Sequence, residues 1–174
     1  FETAAKYRDK IKYIKSIEQR QKISNTGLND SDVIAFVRAF DEALIQVFFV
    51  RNGKVMGREH FLINNTEGMS RSEIITEFVK QFYSGTAFIP KELILSEDIV
   101  EDEKETVSDF LSYLKGSKVI LTVPVKGEKK HLVELAYKNA SITFEQFGEK
   151  IKRDNAKTKG AVEEISSALG LEKV

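Results

Sequence analysis

The stretch that decides the fold is Val33–Ile63, which reads VIAFVRAFDEALIQVFFVRNGKVMGREHFLI. Its first two segments, Val33–Phe40 and Ala43–Val50, are rich in Val, Ile and Phe, a composition typical of β-strands. The dipeptide Asn52-Gly53 supplies the positive φ angles that a two-residue hairpin turn requires. The segment Lys54–Ile63 is therefore predicted to be a third strand, antiparallel to the second.

The polarity of these strands indicates how they are covered. The first two are apolar on both faces, so we expect both of their faces to be buried. Asp41-Glu42 is predicted to be the tight connection between them. The third strand is more polar, and period-two alternation places Arg58 and His60 on one of its faces.

Downstream of the strands, helical and extended patterns alternate. Ser70-Arg-Ser-Glu73 has the residue types of a capping box, so a helix is predicted to begin there and to end at Gly85. The acidic run Glu101–Glu105 is predicted to mark the start of another helix, where negative charge complements the macrodipole. The predicted elements are a strand at Leu93–Leu95, a helix at Glu103–Lys115, a strand at Lys118–Val125, and helices at 127–147 and 161–169.

The order of elements, β-β-β-α-β-α-β-α, predicts an α/β (α+β) fold with a mixed five-stranded sheet and helices on both faces. An additional N-terminal helix is predicted at residues 2–22, where apolar residues recur every three or four positions. This order is the ribonuclease H-like topology. Topology alone does not assign a function.

Composition excludes several classes of site. The 174 residues include no Cys, which excludes disulfides, Cys-ligated metals and a cysteine nucleophile. Only two His are present, so a His-built metal site is not expected. No apolar run approaches the ~20 residues that cross a membrane. The net charge of zero conceals segregation, because residues 1–24 and 149–159 are basic whereas residues 92–109 are acidic.

Four blocks of the sequence resemble one family over essentially the whole chain. They are FETAAKYRDKI at 1–11, QVFFVRNGKVMGREHF at 46–61, FVKQFYSGTAFIPKE at 78–92 and KGEKKHLVELAYKNA at 126–140. Together they are similar to the middle of the UvrC family, one component of the bacterial excinuclease ABC of nucleotide excision repair. The first block resembles the second half of the UVR motif of that family.

The resemblance implies a central piece of a longer protein, which agrees with a start at Phe1 instead of Met. It implies the second UVR helix at 1–24, a linker at 25–31, a ribonuclease H-like domain at 32–145 and a C-terminal helical segment at 146–174. It further implies that both nuclease active sites of the family lie outside this chain, and that the protein is cytoplasmic and needs no cofactor.

The same resemblance implies two partners. In the family the UVR motif pairs with a matching hairpin of the excinuclease component UvrB, and the full complex acts on damaged double-stranded DNA. Contact with UvrB is expected to be weak when only the second helix is present. The residues that the resemblance assigns to this contact are Phe1, Glu2, Ala5, Arg8 and Asp9.

The alternative is that this domain is itself a metal-dependent nuclease. A two-metal site needs converging carboxylates, and in ribonuclease H-like folds one of them comes from the middle of the first strand. Here Phe36 and Arg38 stand at that place, while Asp32 and Asp41 lie only at the strand ends. An Arg there would repel a metal ion, so we expect no metal site and no catalysis. Other acids with suitable positions are Glu73, Glu77, Glu97 and Asp98.

The candidate DNA-binding residues are basic. Lys126-Gly-Glu-Lys-Lys130 lies at a strand-to-helix turn, where backbone N–H groups and basic side chains can meet a phosphate. The alternative is an ordinary solvated turn. His60 and His131 are interpreted as ordinary sheet or surface residues, not ligands. The full set of candidates is Arg51, Lys54, Arg58, Lys126, Lys129 and Lys130.

Overall fold

A computed structural model describes residues 29–168 of the chain. The predicted helix at 2–22 and most of the predicted linker at 25–31 lie outside these residues. The strands are β1 (Ser31–Ala39), β2 (Glu42–Arg51), β3 (Lys54–Ile63), β4 (Glu92–Leu95) and β5 (Ile120–Thr122). The helices are α1 (Arg71–Ser84), α2 (Lys104–Lys115) and α3 (Gly127–Ala168), with a single 3₁₀ turn at Glu101–Glu103.

The five strands form one mixed sheet in the order β3-β2-β1-β4-β5. The pairs β1–β2 and β2–β3 are antiparallel, whereas β1–β4 and β4–β5 are parallel. The predicted order of elements and the ribonuclease H-like arrangement are therefore confirmed. Strand β1 lies at the centre, and β3 and β5 are the two edge strands.

The second hairpin turn was predicted correctly, and the first was not. Asn52 and Gly53 both have positive φ (52° and 74°) between the paired residues Arg51 and Lys54, as predicted. The first turn is instead formed by Phe40 and Asp41, because Ala39 pairs with Glu42 and places Glu42 in β2. The predicted turn at Asp41-Glu42 was thus wrong by one residue. Phe40 adopts a φ of 55°, which is unusual for a non-glycine residue.

The helix boundaries follow from local capping chemistry. Ser70 Oγ accepts a hydrogen bond from the backbone N–H of Glu73, and the Glu73 carboxylate accepts one from the N–H of Ser70, which confirms the capping box. Gly85 caps the C-terminus of α1. Helix α2 ends at Gly116, whose φ of 80° suits glycine.

Two elements differ by several residues from their predicted lengths. Strand β5 covers only Ile120–Thr122 instead of 118–125, because its partner β4 is itself only four residues long. Helix α3 is one continuous helix of 42 residues, about 63 Å long at 1.5 Å per residue, where two helices were predicted. Residues 148–160 contain no Pro, and Gly148 and Gly160 cost only about 1 kcal/mol each within a helix, so the helix is not interrupted.

The core has two layers, one on each face of β1 and β2. Helices α1 and α2 cover one face, where Ile34, Phe36 and Ile45 pack against them. Helix α3 covers the other face and packs on Val33, Ala35 and Phe48. Both faces of the first two strands are thus buried, as predicted. Within residues 29–168, no helix is both long enough and apolar enough to cross a membrane.

The part of α3 beyond the sheet, residues 153–165, has only exposed side chains. We expect Gly160→Pro to break this projection, because Pro in a helix interior costs about 3 kcal/mol or more. Circular dichroism at 222 nm should lose helical signal, while the urea midpoint of the sheet domain stays unchanged.

The matched control is Gly160→Ala, which favours a helix at the same position by up to about 1 kcal/mol. Equal helical signal in the Pro and Ala variants would show that the helix is interrupted before residue 161, as the sequence pattern predicted.

Candidate functional site

A buried ionic network holds the start of β1. Asp32 is 1% exposed, and its carboxylate accepts hydrogen bonds from Arg51 Nη1 (2.9 Å) and from the Tyr83 hydroxyl (2.6 Å). Arg51 comes from the end of β2 and Tyr83 from the last turn of α1. The network therefore joins two strands and a helix at one end of the sheet.

Burial dominates the protonation of this network. It raises the pKa of Asp32, although the hydrogen bonds from Tyr83 and Arg51 and the Arg51 charge act in the opposite direction. Burial, together with the adjacent Asp32, raises the pKa of Tyr83 well above its ordinary value. The phenol therefore stays protonated and donates to Asp32. The carboxylate at the start of β1 is committed to this structural contact.

The middle of β1, where a ribonuclease H-like nuclease needs a carboxylate, carries an aromatic ring and is flanked by cations. Phe36 is fully buried, and the Arg71 guanidinium lies 4.3 Å from the centre of its ring. Arg71 Nε also donates to Glu97 Oε1 at 2.6 Å. Arg38 donates to the backbone carbonyls of Thr66 and Met69. Two guanidinium groups thus lie on the face that would hold a metal.

The other acids with suitable positions all have structural partners. Glu73 belongs to the capping box, Glu77 pairs with Lys80 at 2.7 Å, and Glu97 pairs with Arg71. Asp98 pairs with Lys104 at 2.7 Å and also caps the N–H of Ile99. Among residues 29–168, no three His, Asp or Glu side chains form a group that could hold a metal ion.

Most of the basic candidates lie at the same end of the sheet as the Asp32 network. Arg51 is committed to Asp32 and also stacks on Phe88, with 4.4 Å between the guanidinium carbon and the ring centre. Lys129 donates to Glu92 at 2.8 Å. Lys54, in the hairpin, and Lys126, before α3, are exposed, and Lys130 is half-buried in the first turn of α3.

Arg58 lies elsewhere, in an open cleft of about 480 Å³ between the edge strand β3 and helix α3. His60 lies on the same face of β3, as the alternation predicted, and contacts the Phe147 ring edge-on at 5.8 Å between centres. The complete lining is Gln46, Arg58, His60, Asn139, Thr143, Gln146, Phe147 and Lys150.

Sequence reasoning missed the helical side of this cleft. Asn139, Thr143, Gln146 and Lys150 recur at spacings of four, three and four, which places them on one face of α3. A polar stripe of this kind in an otherwise amphipathic helix was the available signal. The predicted helix boundary at Phe147 hid it, because it separated Lys150 from the other three residues.

The residues that the sequence resemblance assigns to the contact with UvrB lie outside the described residues. They are Phe1, Glu2, Ala5, Arg8 and Asp9.

Comparison with known proteins identifies related chains. The family model described as the UvrC ribonuclease H-like domain matches residues 30–147. UvrABC system protein C of Acetivibrio thermocellus is 47% identical over 174 residues, which is 100% of this chain and 28% of that protein. UvrABC system protein C of Clostridioides difficile is 47% identical over 175 residues, which is 100% of this chain and 29% of that protein.

A third relative, from Lachnospira eligens, is 46% identical over 171 residues, covering 98% of this chain and 28% of its own. The chain therefore spans less than a third of the length of these relatives. A solved Bacteroides thetaiotaomicron protein with an actin-like ATPase fold gives a TM-score of only 0.35 at 16% identity, over 68% of this chain and 42% of its own, which is too low to support an argument.

The Asp32 network generates a stability prediction. Tyr83→Phe removes one donor and leaves a buried carboxylate under-satisfied, which we expect to lower the free energy of unfolding by about 1–3 kcal/mol in urea titrations at pH 7. Because the hydroxyl lowers the pKa of Asp32, its loss raises that pKa further. The folded variant then takes up the Asp32 proton at a higher pH than the folded wild type, whereas the two unfolded chains titrate alike. The cost should therefore be full where Asp32 is ionised in both folded chains, and should shrink as the pH falls toward the raised pKa of Asp32 in the folded wild type.

The matched control is Tyr113→Phe, since Tyr113 is 84% exposed. Its unfolding free energy should change by no more than about 0.5 kcal/mol. Equal urea midpoints for the two variants at pH 7 would contradict a stabilising role for the Tyr83 hydroxyl.

Proposed function

The chain belongs to the UvrC family, and from this membership we propose that it is a non-catalytic scaffold and interaction region of the UvrABC system of nucleotide excision repair. In this role it connects the other parts of the longer protein and contacts partners, while phosphodiester cleavage takes place elsewhere. Its partners in this proposal are the excinuclease component UvrB and damaged double-stranded DNA.

The observation that carries the non-catalytic role is the composition of the β1 centre. A two-metal nuclease relies on carboxylates that converge on ions about 4 Å apart. Here the buried Phe36 ring occupies that place, with Arg71 stacked on it and Arg38 next along the same face. Bringing a divalent cation between two guanidinium groups is electrostatically unfavourable, because like charges repel.

The partners of the remaining acids support the same proposal. Freeing Glu97 for a metal would break its ion pair with Arg71 and leave that guanidinium facing the incoming cation. Freeing Glu73 would remove half of the α1 capping box. Asp32 is fully buried behind Arg51 and Tyr83, so it is closed to solvent and to substrate.

We expect the purified 174-residue chain to leave supercoiled plasmid intact with Mg²⁺ or Mn²⁺, as judged by agarose gel against a protein-free blank. The alternative function, an active metal-dependent nuclease, makes the opposite prediction. The double variant Glu73→Gln/Glu97→Gln separates the domain's own chemistry from a contaminant. The non-catalytic role would be overturned if the unmodified 174-residue chain nicked the plasmid and the double variant did not.

Contact with UvrB is proposed through the N-terminal segment. Support comes from its resemblance to the second half of the UVR motif and from relatives that match this chain from end to end. The segment alternates small or aromatic residues with charges of both signs, as a helix that pairs with another amphipathic helix does. The proposed contact residues are Phe1, Glu2, Ala5, Arg8 and Asp9.

We expect weak binding of UvrB by this chain in isothermal titration calorimetry, because the chain resembles only the second half of the UVR motif. A longer protein that includes the first half of the motif should bind more tightly. In that protein Phe1→Ala and Arg8→Ala should weaken binding, whereas Lys118→Ala, a change at an exposed site in the domain, should not. Equal affinity of the short and long proteins would contradict the proposed contact.

For DNA, the structure divides the six basic candidates. Arg51 and Lys129 are engaged with Asp32 and Glu92. Lys54, Lys126 and Lys130 form no ion pair with residues 29–168 and lie at one end of the sheet, where they are proposed to meet phosphates. Arg58 is separated from this group and belongs to the cleft beside α3.

A further inference from the structure

The cleft between β3 and α3 exists because α3 covers only part of the sheet. The helix packs on β1 and β2, where Ala136 and Ala140 bring it close to the sheet. It leaves most of the edge strand β3 uncovered on this face. Arg58 and His60 on that strand consequently line a cleft beside the helix, where His60 contacts Phe147.

The lining is electropositive and rich in hydrogen-bond donors. Arg58 and Lys150 are the charged residues among the eight that line the cleft, and none of the eight is Asp or Glu. Neither cation forms an ion pair within the part of the chain that the structure describes. Glu149, the neighbouring carboxylate on the helix, lies 3.5 Å from Arg153. The cleft therefore has positive charge with no counterion in its lining.

Asn139 is the independent observation that points to a ligand in this cleft. Its side chain is only 8% exposed, and its Nδ2 donor has no hydrogen-bond acceptor in the described structure. A buried donor without a partner costs about 1–3 kcal/mol. Asn139 lines the cleft together with the two cations, so an oxyanion placed there would satisfy the charges, and also the amide once its Nδ2, which is closed to solvent, turns toward the cleft.

The positive face continues outward from the cleft along α3. Lys150, Arg153 and Lys157 follow one another at spacings of three and four, so they lie on one side of the helix, where the acid Asp154 leaves a net positive charge. They span about 10 Å along the axis at 1.5 Å per residue. Arg153 and Lys157 are exposed, and the contact of Arg153 with Glu149 is a surface pair of little energetic weight. A ligand with several anionic groups in a row suits this arrangement better than a single small anion.

We propose that this cleft binds a backbone phosphate of a nucleic-acid strand, which then runs along the Lys150–Lys157 face of α3. Arg58 meets the phosphate with its planar guanidinium, Asn139 turns its Nδ2 toward the cleft to donate to an oxygen, and Lys150 adds a point charge. The inference rests on the proposed function for the identity of the polyanion, and adds to it a second contact, separate from the basic end of the sheet.

The test is fluorescence anisotropy of the 174-residue chain with a labelled DNA 20-mer, single- and double-stranded, over a series of KCl concentrations. Arg58→Ala and Lys150→Ala should each weaken binding about 3–10-fold at low salt and reduce the salt slope by about one. Asn139→Asp, which keeps the shape of the side chain but puts a carboxylate in the cleft, should weaken binding at least as much.

The matched control is Lys118→Ala, which removes one exposed charge near the opposite edge of the sheet and should leave affinity and salt slope unchanged. Unchanged melting curves confirm that each variant is folded. DNA binding by the cleft variants equal to that of Lys118→Ala would overturn the proposal.

Two further arms identify the ligand class. Titration with DNA should shift the Asn139 side-chain amide resonances, and inorganic phosphate at the same phosphorus concentration should shift them far less. A shift with phosphate alone, or binding of poly-glutamate that depends on Arg58 while DNA binding does not, would overturn the nucleic-acid assignment. These experiments measure binding, so they test the cleft independently of the plasmid-nicking experiment, which tests the non-catalytic role.

Discussion

Strand β1 is buried on both faces, and the other elements are positioned against it. Its even-numbered residues from Ile34 face α1 and α2, and its odd-numbered residues from Val33 face α3. It pairs with β2 on one side and β4 on the other. Polar groups are therefore tolerated only where a partner satisfies them. Asp32 has Arg51 and Tyr83, and Arg38 has two backbone carbonyls near the other end of the strand.

This constraint accounts for the chemistry of the α1 face. A catalytic carboxylate in the middle of β1 would be a buried charge whose natural counterion is a metal, and a chain without the metal would bear an unpaired charge. Phe36 removes that charge, and the Arg71–Glu97 pair over its ring leaves no net charge to attract a cation. The face is thus stabilised by apolar packing and local ion pairs.

Local chemistry made much of the fold predictable. Asn52-Gly53 and the Ser70 capping box act over a few residues, so sequence alone specified both. The predictions were wrong where contacts with another element determine the length of a strand or the position of a turn. β5 is short because β4 is short, and the first hairpin turn is set by the Ala39–Glu42 register, in which Phe40 takes a positive φ that its residue type does not suggest. The ion-pair partners of Glu97 and Asp98 are likewise contacts between elements.

The residues on both walls of the cleft can be predicted from the sequence, but the gap between the walls depends on tertiary packing. A strand with Arg58 and His60 on one face is readable from alternation, and a helix with polar residues at 139, 143, 146 and 150 is readable from spacing. Neither pattern reveals that α3 leaves an open cleft beside the edge strand. That follows from the small residues Ala136 and Ala140, which seat the helix over β1 and β2 and so fix the gap in front of β3. Because the same helix then continues past the sheet, the helical wall of the cleft and the basic face beyond it belong to one continuous helix. A nucleic-acid strand whose phosphate is bound at Arg58 would consequently be aligned with the basic face of α3.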